Sequence, residues 1–429
     1  MFGRKSSTSG IQRISAAEHK IHRKSINHNA SKIIKKLQES GYDAYIVGGC
    51  VRDLILGKEP KDCDVATNAE PEDVRRIFRN CRLIGRRFRL AHVYFGREII
   101  EVATFRAGHE KGNAVDAQTR KGMITRDNVY GTLEDDAWRR DFSMNALYYD
   151  ITDHSIIDYT GGFADLSKKH ICMIGDAEQR YREDPVRMLR AIRFSSKLDL
   201  DIAPETVKPI QALGELLEII PPSRLFEEVL KLFLSGYAVD TFHQLREQHL
   251  FERLFPQTEK HLQNESTLAF ILHALENTDL RIKQEKSLNP AFLFAVFLWP
   301  PVNHLAHEYR QDAIHPLAAL EQASYDVLKT QSTSVAIPRR HTMVMQEMWT
   351  MQIRFQRRQG KKPWRLIENK RFRAAYDFLL LRAEHEPHLQ ALAQWWTQFY
   401  DGDEEQRQEL VEQLPQPKPR KRAKRAPAQ

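Results

Sequence analysis

The stretch from residue 44 to residue 67, AYIVGGCVRDLILGKEPKDCDVAT, leaves the chain the least freedom. Ala44 to Val47 is a short apolar run of strand length, stopped by Gly48 and Gly49. A helical pattern starts near Val51, and KDCDVAT resumes an extended segment. Strand, glycine turn, helix and strand in such quick succession commit this part to a small α/β layer. The same stretch carries chemistry. In extended chain Asp62 and Asp64 leave by one face, their backbones roughly 6 to 7 Å apart. Two hard oxygen donors so placed suit a magnesium ion, which prefers carboxylate and phosphate oxygen. Gly48 and Gly49 have no side chain to keep a triphosphate off the backbone, and Arg52, beside Asp53 in the first helical turn, can neutralise it.

The flanking pattern extends this layer. ASKIIKKLQESG reads as a helix stopped at Gly41, and EPEDVRRIFRN as a helix begun by Pro71 with acids in its first turn. RLAHVYFGREIIEVATFRA alternates on both sides of Gly96, as a hairpin does. Within it Glu101 sits among apolar residues, and a buried lone carboxylate is costly unless paired or metal-bound. The bland alternative is a wet outward face of Arg97, Ile99, Glu101 and Ala103. From Gly108 to Asn128 periodicity is lost, as in a flexible surface loop, and TLEDDAWRRDFSMNALYYD then reads as a helix delivering a strand. Beyond RYREDPVRMLRAIRFSSKL nearly everything is helical by pattern.

The expected fold is therefore α+β: a small mixed-sheet head, an all-α neck and body, and a disordered basic C-terminal tail. Its expected divisions are a flexible arm over 1–29, a head over 30–160, a neck over 161–215, a helical body over 216–280, a helical arginine-rich region over 281–400, and a disordered linker and tail over 401–429. The chain has 65 Lys and Arg against 57 Asp and Glu, a net +8. Its last fifteen residues hold Lys418, Arg420, Lys421, Arg422, Lys424 and Arg425 and no acid, which suits a polyanion. A solubilising tail without a partner is the alternative. No apolar run approaches the roughly 18 residues of a membrane span. The cysteines at 50, 63, 81 and 172 show no zinc spacing and suggest no disulfide framework, which fits a reducing cytoplasm, and Cys63 reads as a small apolar filler. The basic, Ser-rich start lacks an apolar signal core, which argues against secretion and leaves an organelle transit peptide open.

Taken together, GGCVRDLILG with DCD, the EVATFR strand, RRDFSMNAL and REDPVRMLRAIRF resemble the class II nucleotidyltransferase superfamily, which holds transfer RNA CCA-adding enzymes and bacterial poly(A) polymerases. The resemblance covers roughly residues 42 to 240. It implies that Asp62 and Asp64 bind catalytic metal, Mg2+ or in its place Mn2+, with Glu101 completing the carboxylate set. It further implies that Gly48, Gly49, Arg52, Asp53, Arg139, Arg140 and Asp141 surround ATP, with Asp141 holding the sugar or organising the centre. Read from the residues alone, the Arg139–Arg140–Asp141 triplet is equally a surface ion pair on a helix, worth under about 1 kcal/mol. By the same resemblance Glu183, Asp184, Arg187 and Arg190 read the nucleotide base. Arg187 and Arg190, three apart, share a helical face on which a guanidinium can bond or stack on a base while Asp184 fixes its direction.

LIGRRFRLAHV is similar, position by position, to an arginine-rich segment of bacterial poly(A) polymerases, whereas CCA-adding enzymes usually carry a shorter, less basic element there. The expectation is thus template-independent addition of AMP from ATP to single-stranded RNA 3′ ends, serving RNA processing and decay, by a cytoplasmic monomer that an RNA helicase or RNA-decay proteins can join. Arg86, Arg87 and Arg89 are expected to meet RNA or nucleotide phosphate, as are the cations of the tail. Residues 354 to 373 interleave Arg and Lys with Phe355, Trp364 and Phe372, a mixture suited to single strands unless the aromatics are core. A CCA-adding enzyme and a non-catalytic RNA-binding protein are the competing readings. The second requires a broken carboxylate set, and Asp62, Asp64 and Glu101 are all present.

Overall fold

The computed structural model describes residues 10–85, 89–107, 129–311 and 314–415, with the backbone of 119–120 and 123–124. Arg86, Arg87 and the tail cations from Lys418 to Arg425 lie outside the described residues. Two compact units divide between Leu217 and Glu218.

The first unit is built on β1 (Gln12–Ile14), β2 (Ala44–Val47), β3 (Asp64–Thr67), β4 (Cys81–Ile84), β5 (Leu90–Phe95) and β6 (Glu98–Thr104). The short β7 (Thr119–Arg120) and β8 (Met123–Ile124) pair with each other, and β9 (Leu147–Tyr149) and β10 (Ile156–Asp158) return to the main sheet. That sheet has eight strands in the order β1, β10, β9, β2, β3, β6, β5, β4, antiparallel except where β3 meets β6. The β5–β6 hairpin turns at Gly96, whose positive φ of 63° is open to glycine without strain. Helices His28–Glu39 and Pro71–Ile77 pack on the strands, and Ile46, Val65, Val93, Ile100 and Val102 are buried on one face of the sheet. The neck follows as helices Ala177–Glu183 and Val186–Leu198.

Two expected boundaries are corrected. Residues 12–14 are no arm: they form the edge strand β1 against β10, where Arg13 bonds Asp153 at 2.8 Å. Residues 404–412 are no linker but a helix whose N-terminus is capped by Asp403. Arg407 ties that helix down by donating to the carbonyls of Phe399 and Tyr400.

The second unit is helical throughout its described length. Phe226, Phe233, Phe242, Phe251, Phe255 and Phe294 fill its core together with Trp349 and Trp396, whose indole N–H groups donate to the carbonyls of Ala295 and Phe355. Phe355 and Phe372 belong to that core, at 0% and 2% exposure, so they are not free to stack on bases. Trp364 is half-buried, edge-on to Phe399. The intervening cations Arg357, Lys361, Lys362, Arg365 and Lys370 face solvent. No helix of the described residues is long and apolar enough to cross a membrane.

Candidate active site

Strand register assembles the site. Arg82 stands opposite His92, His92 opposite Glu101, and Val47 opposite both Asp64 and Tyr148. In the parallel pair Val65 lies beside Val102, so Asp64 and Glu101, one residue earlier on each strand, are neighbours. Residues paired across strands share a face, so Arg82, His92, Glu101, Asp64, Val47 and Tyr148 form one transverse row. Toward β2 this face is closed by Val47, Ala66, Phe105, Ala137, Tyr148 and Ile174. Toward β4 it is open, with Ile84 and Ile99 exposed. Asp64 stands where the closed part meets the open one.

Glu101 lies on the open part, its side chain 40% exposed, so burial is not the reason for its presence in the strand. Its neighbours explain it better: Asp64 on one side and, 3.9 Å away, the His92 Nε2 on the other. The Asp64 carboxyl is pushed up to about 6, first by burial and then by the charge of Glu101, with Arg140 opposing and Asp62 adding a little more. Asp62 is exposed and precedes β3, and the alternation exposed, buried, half-buried over 62, 63 and 64 keeps Asp62 and Asp64 on one side.

Gly48 ends β2 beside Asp64 with φ 73°, and its amide bonds back to the Leu147 carbonyl. Arg52 is turned inward at 4% exposure, a correction to its expected place against phosphate. Its Nε donates to Asp53 at 2.8 Å, its Nη1 to the Asn145 Oδ1 at 2.8 Å, and its guanidinium lies over Phe194. Asp53 is likewise spent on Arg52. Asn145 passes the contact on, donating to Asp141 at 3.2 Å.

The triplet at 139–141 is not a surface ion pair on a helix. The helix ends at Arg139, and Arg140 is clasped by Asp136, by the Tyr148 hydroxyl at 3.1 Å and by the Asn145 carbonyl. Burial opposes the Asp136 charge, but Arg140 and Arg139 outweigh it and hold the carboxyl below its usual range. Asp141 accepts from Arg190 at 2.7 Å and from the Phe142 amide at 2.9 Å, and these partners outweigh its burial in the same way. Arg187 is steered by Glu183, at 2.9 Å, and by the Arg180 carbonyl, while Asp184 Oδ1 accepts from the Val186 amide. Arg89 pairs with Glu72.

Sequence reading missed Asp136, Tyr148 and Arg180. Arg180 donates to the carbonyls of both Arg139 and Arg140, which fastens the neck to the triplet. Asp136 lay four residues before Arg140 on a helix, a spacing that signals a pair. Nothing local points to Arg180 or Tyr148. Cys50 and Cys63, expected to be unpaired, are joined as a disulfide with Cα atoms 5.0 Å apart. The antiparallel β2–β3 pairing brings together the two ends of the segment that separates them.

Among the described residues no three His, Cys, Asp or Glu side chains close around a metal position. A row of two or three carboxylates on one face nevertheless fits magnesium, which keeps several waters and is usually bound by one or two carboxylates plus substrate phosphate. Asp64 is raised first by burial and then by the charge of Glu101, and a divalent cation would offset both by favouring the ionised carboxylate.

Comparison with known proteins agrees along nearly the whole chain. Family models match as "Poly A polymerase head domain" over 44–172, "Probable RNA and SrmB- binding site of polymerase A" over 199–262 and "Polymerase A arginine-rich C-terminus" over 312–429. Poly(A) polymerase I of Salmonella typhimurium is 50% identical over 419 residues, covering 95% of this chain and 90% of the relative. Its Haemophilus influenzae counterpart is 46% identical over 95% of this chain and 93% of its own. A CCA-adding enzyme of Staphylococcus aureus is 33% identical over 228 residues, covering 53% of this chain and 55% of the relative. Among solved structures, a Thermotoga maritima CCA-adding enzyme complexed with tRNA shares the fold at a TM-score of 0.60 and 17% identity, covering 91% and 88% of the two chains. A tRNA-processing enzyme in an apo form does so at 0.58 and 22% identity, covering 89% and 99%.

Proposed function

The chain belongs to the poly(A) polymerase family and is a template-independent polynucleotide adenylyltransferase; we propose that Asp62, Asp64 and Glu101 are the carboxylates through which it acts. The observation that carries this reading is the row that sets Asp64 beside Glu101 and against the end of β2, where Gly48 and Gly49 begin. The reaction joins the RNA 3′ oxygen to the α-phosphorus of ATP and releases pyrophosphate. Bound Mg2+, or Mn2+ in its place, supplies charge neutralisation and a more acidic 3′-hydroxyl. Asp62 and Asp64 hold that charge at the mouth of the closed part of the sheet, with Glu101 beside them. Gly48 and Gly49 let phosphate approach the backbone. Arg190, fixed by Asp141, and Arg187, fixed by Glu183, present two guanidinium groups from one helix to the base. Catalysis is then mainly positioning and charge, and no residue becomes a covalent nucleophile.

The second unit favours poly(A) addition over CCA addition. The CCA-adding relative matches about half of the chain, whereas the poly(A) relatives match 95% of it, including the arginine-rich region. Arg357, Lys361, Lys362, Arg365 and Lys370 serve RNA phosphate in this reading, together with Arg86, Arg87, Arg89 and the tail cations. The reading extends to a cytoplasmic monomer, and the resemblance of residues 199–262 to an RNA- and SrmB-binding region of such polymerases supports a protein partner such as an RNA helicase or an RNA-decay protein. The test is a nucleotide assay with magnesium on an unstructured RNA primer. Long tails from ATP alone are expected; addition of C, C and A with a stop on transfer RNA overturns the reading.

A further inference from the structure

The bond between Cys50 and Cys63 lies within the catalytic layer. Cys50 is in the first turn of the Gly49–Ile55 helix, directly after the Gly48–Gly49 turn. Cys63 stands between Asp62 and Asp64. Residues 58–63 belong to no helix or strand, the β2–β3 ladder begins only at Asp64, and among the described residues no side-chain partner holds Asp62. The anchors of this segment otherwise lie at its start, where the Lys58 amide donates to the Asp53 carbonyl and its Nζ to the Leu198 carbonyl. Besides the ladder that starts at Asp64, the covalent tie at the adjacent residue is what constrains Asp62 relative to the glycine turn. Cys63 faces away from the two carboxylates, so the bond holds the row from behind without entering it.

From this placement we propose that Cys50 and Cys63 form a reversible redox site, exchanging with small thiols and disulfides of the glutathione class, whose bonded form holds Asp62 for catalysis. Reduction consumes two thiols. The first attacks the sulfur of Cys63, the less buried residue of the two at 7% exposure against 1% for Cys50, and the Cys50 sulfur leaves and takes a proton. The second thiol attacks the mixed disulfide, frees Cys63 as a thiol and leaves with the first as a small disulfide. Two electrons and two protons pass to the protein, and oxidation by the small disulfide reverses each step. With the tie broken, Asp62 is held only through its neighbours in the chain. A displacement near 1 Å at a catalytic group can cost about a hundredfold in rate, so partial loosening is expected to cost about tenfold. Nucleotide addition thus rises as the surrounding thiol pool becomes more oxidised.

The test uses the full chain with Cys81→Ala and Cys172→Ala, which removes the two free cysteines. The protein is poised in glutathione buffers of graded ratio, its thiols are counted by mass after alkylation, and AMP incorporation on an unstructured primer is measured at saturating ATP. The rate should follow the bonded fraction and fall about tenfold on full reduction, while Cys50→Ser and Cys63→Ser variants stay at the reduced rate in every buffer. Trypsin cleavage after Lys58 and Lys61 should accelerate in the reduced form. This arm reads the segment without catalysis, so it separates failure of this inference from failure of the carboxylate assignment on which its consequence rests. A rate unchanged across the series while the thiols appear overturns the proposal, as do equal cleavage in both forms and thiols that stay unbonded in fully oxidised glutathione.

Discussion

At the scale of single residues, Asp64 carries an electrostatic cost in the folded chain. Its folded value near 6 lies above the ordinary 3.8, so between these values the metal-free folded chain binds more protons than the unfolded one. Stability therefore falls as pH rises through that window and stays lower above it. Asp64→Asn should lose AMP incorporation by at least about a hundredfold. In chelator at pH 7.5 the same variant should be more stable by up to about 2 to 3 kcal/mol, the gap closing below about pH 4 in thermal unfolding. Loss of activity without that gain would refute the electrostatic account. Asp136 has the opposite sign: its depressed value contributes stability above the unfolded value, and this is lost as pH falls through the lower folded one. Asp136→Asn leaves Arg140 without its charge partner and should cost about 3 kcal/mol in urea unfolding at neutral pH. The aspartates at 62 and 64 were legible because their two-residue spacing already implies a shared face. Arg52 was not, because its inward turn depends on Asn145, far along the chain.

Among elements, the turn at Ser143–Asn145 carries the most. It follows Asp141, sends Asn145 to both Asp141 and Arg52, and packs against the start of the Gly162–Ser167 helix. A Cβ added at Gly162 would stand 2.1 Å from the Ser143 carbonyl oxygen, so Gly162→Ala must move that turn. A loss of about 1 to 3 kcal/mol is expected, with weaker AMP incorporation by the fraction that remains folded. Gly10→Ala, with nothing within 4 Å, is the control and should match the parent in both measurements. The strand–glycine–helix–strand run and the hairpin at Gly96 were legible because their signals are local. β1 was not, since three residues inside a polar segment show no strand pattern until β10 pairs with them. The Glu404–Glu412 helix was hidden by its polarity, Leu410 and Val411 being its apolar residues, and its anchor is the carbonyls that receive Arg407.

For the molecule as a whole, charge is distributed by region. The tail supplies six of the eight net positive charges. A chain ending at Pro415 should bind single-stranded RNA with a salt slope shallower by up to about four, at roughly 0.7 per charge, while incorporation at saturating primer stays near that of the parent. An unchanged slope in filter binding between low and moderate salt would remove the tail from RNA contact. The place of β1 has a consequence for how the molecule is made. Gln12 leaves the ribosome before its partner Asp158, which follows about 145 residues later. At the usual pace of synthesis, about 5 to 20 residues per second, the segment waits roughly 7 to 30 s for the strand it must join. The row on β3, β6 and β2 that carries Asp64 and Glu101 is complete in the chain well before then, so during translation the sheet acquires its carboxylates first and its border last.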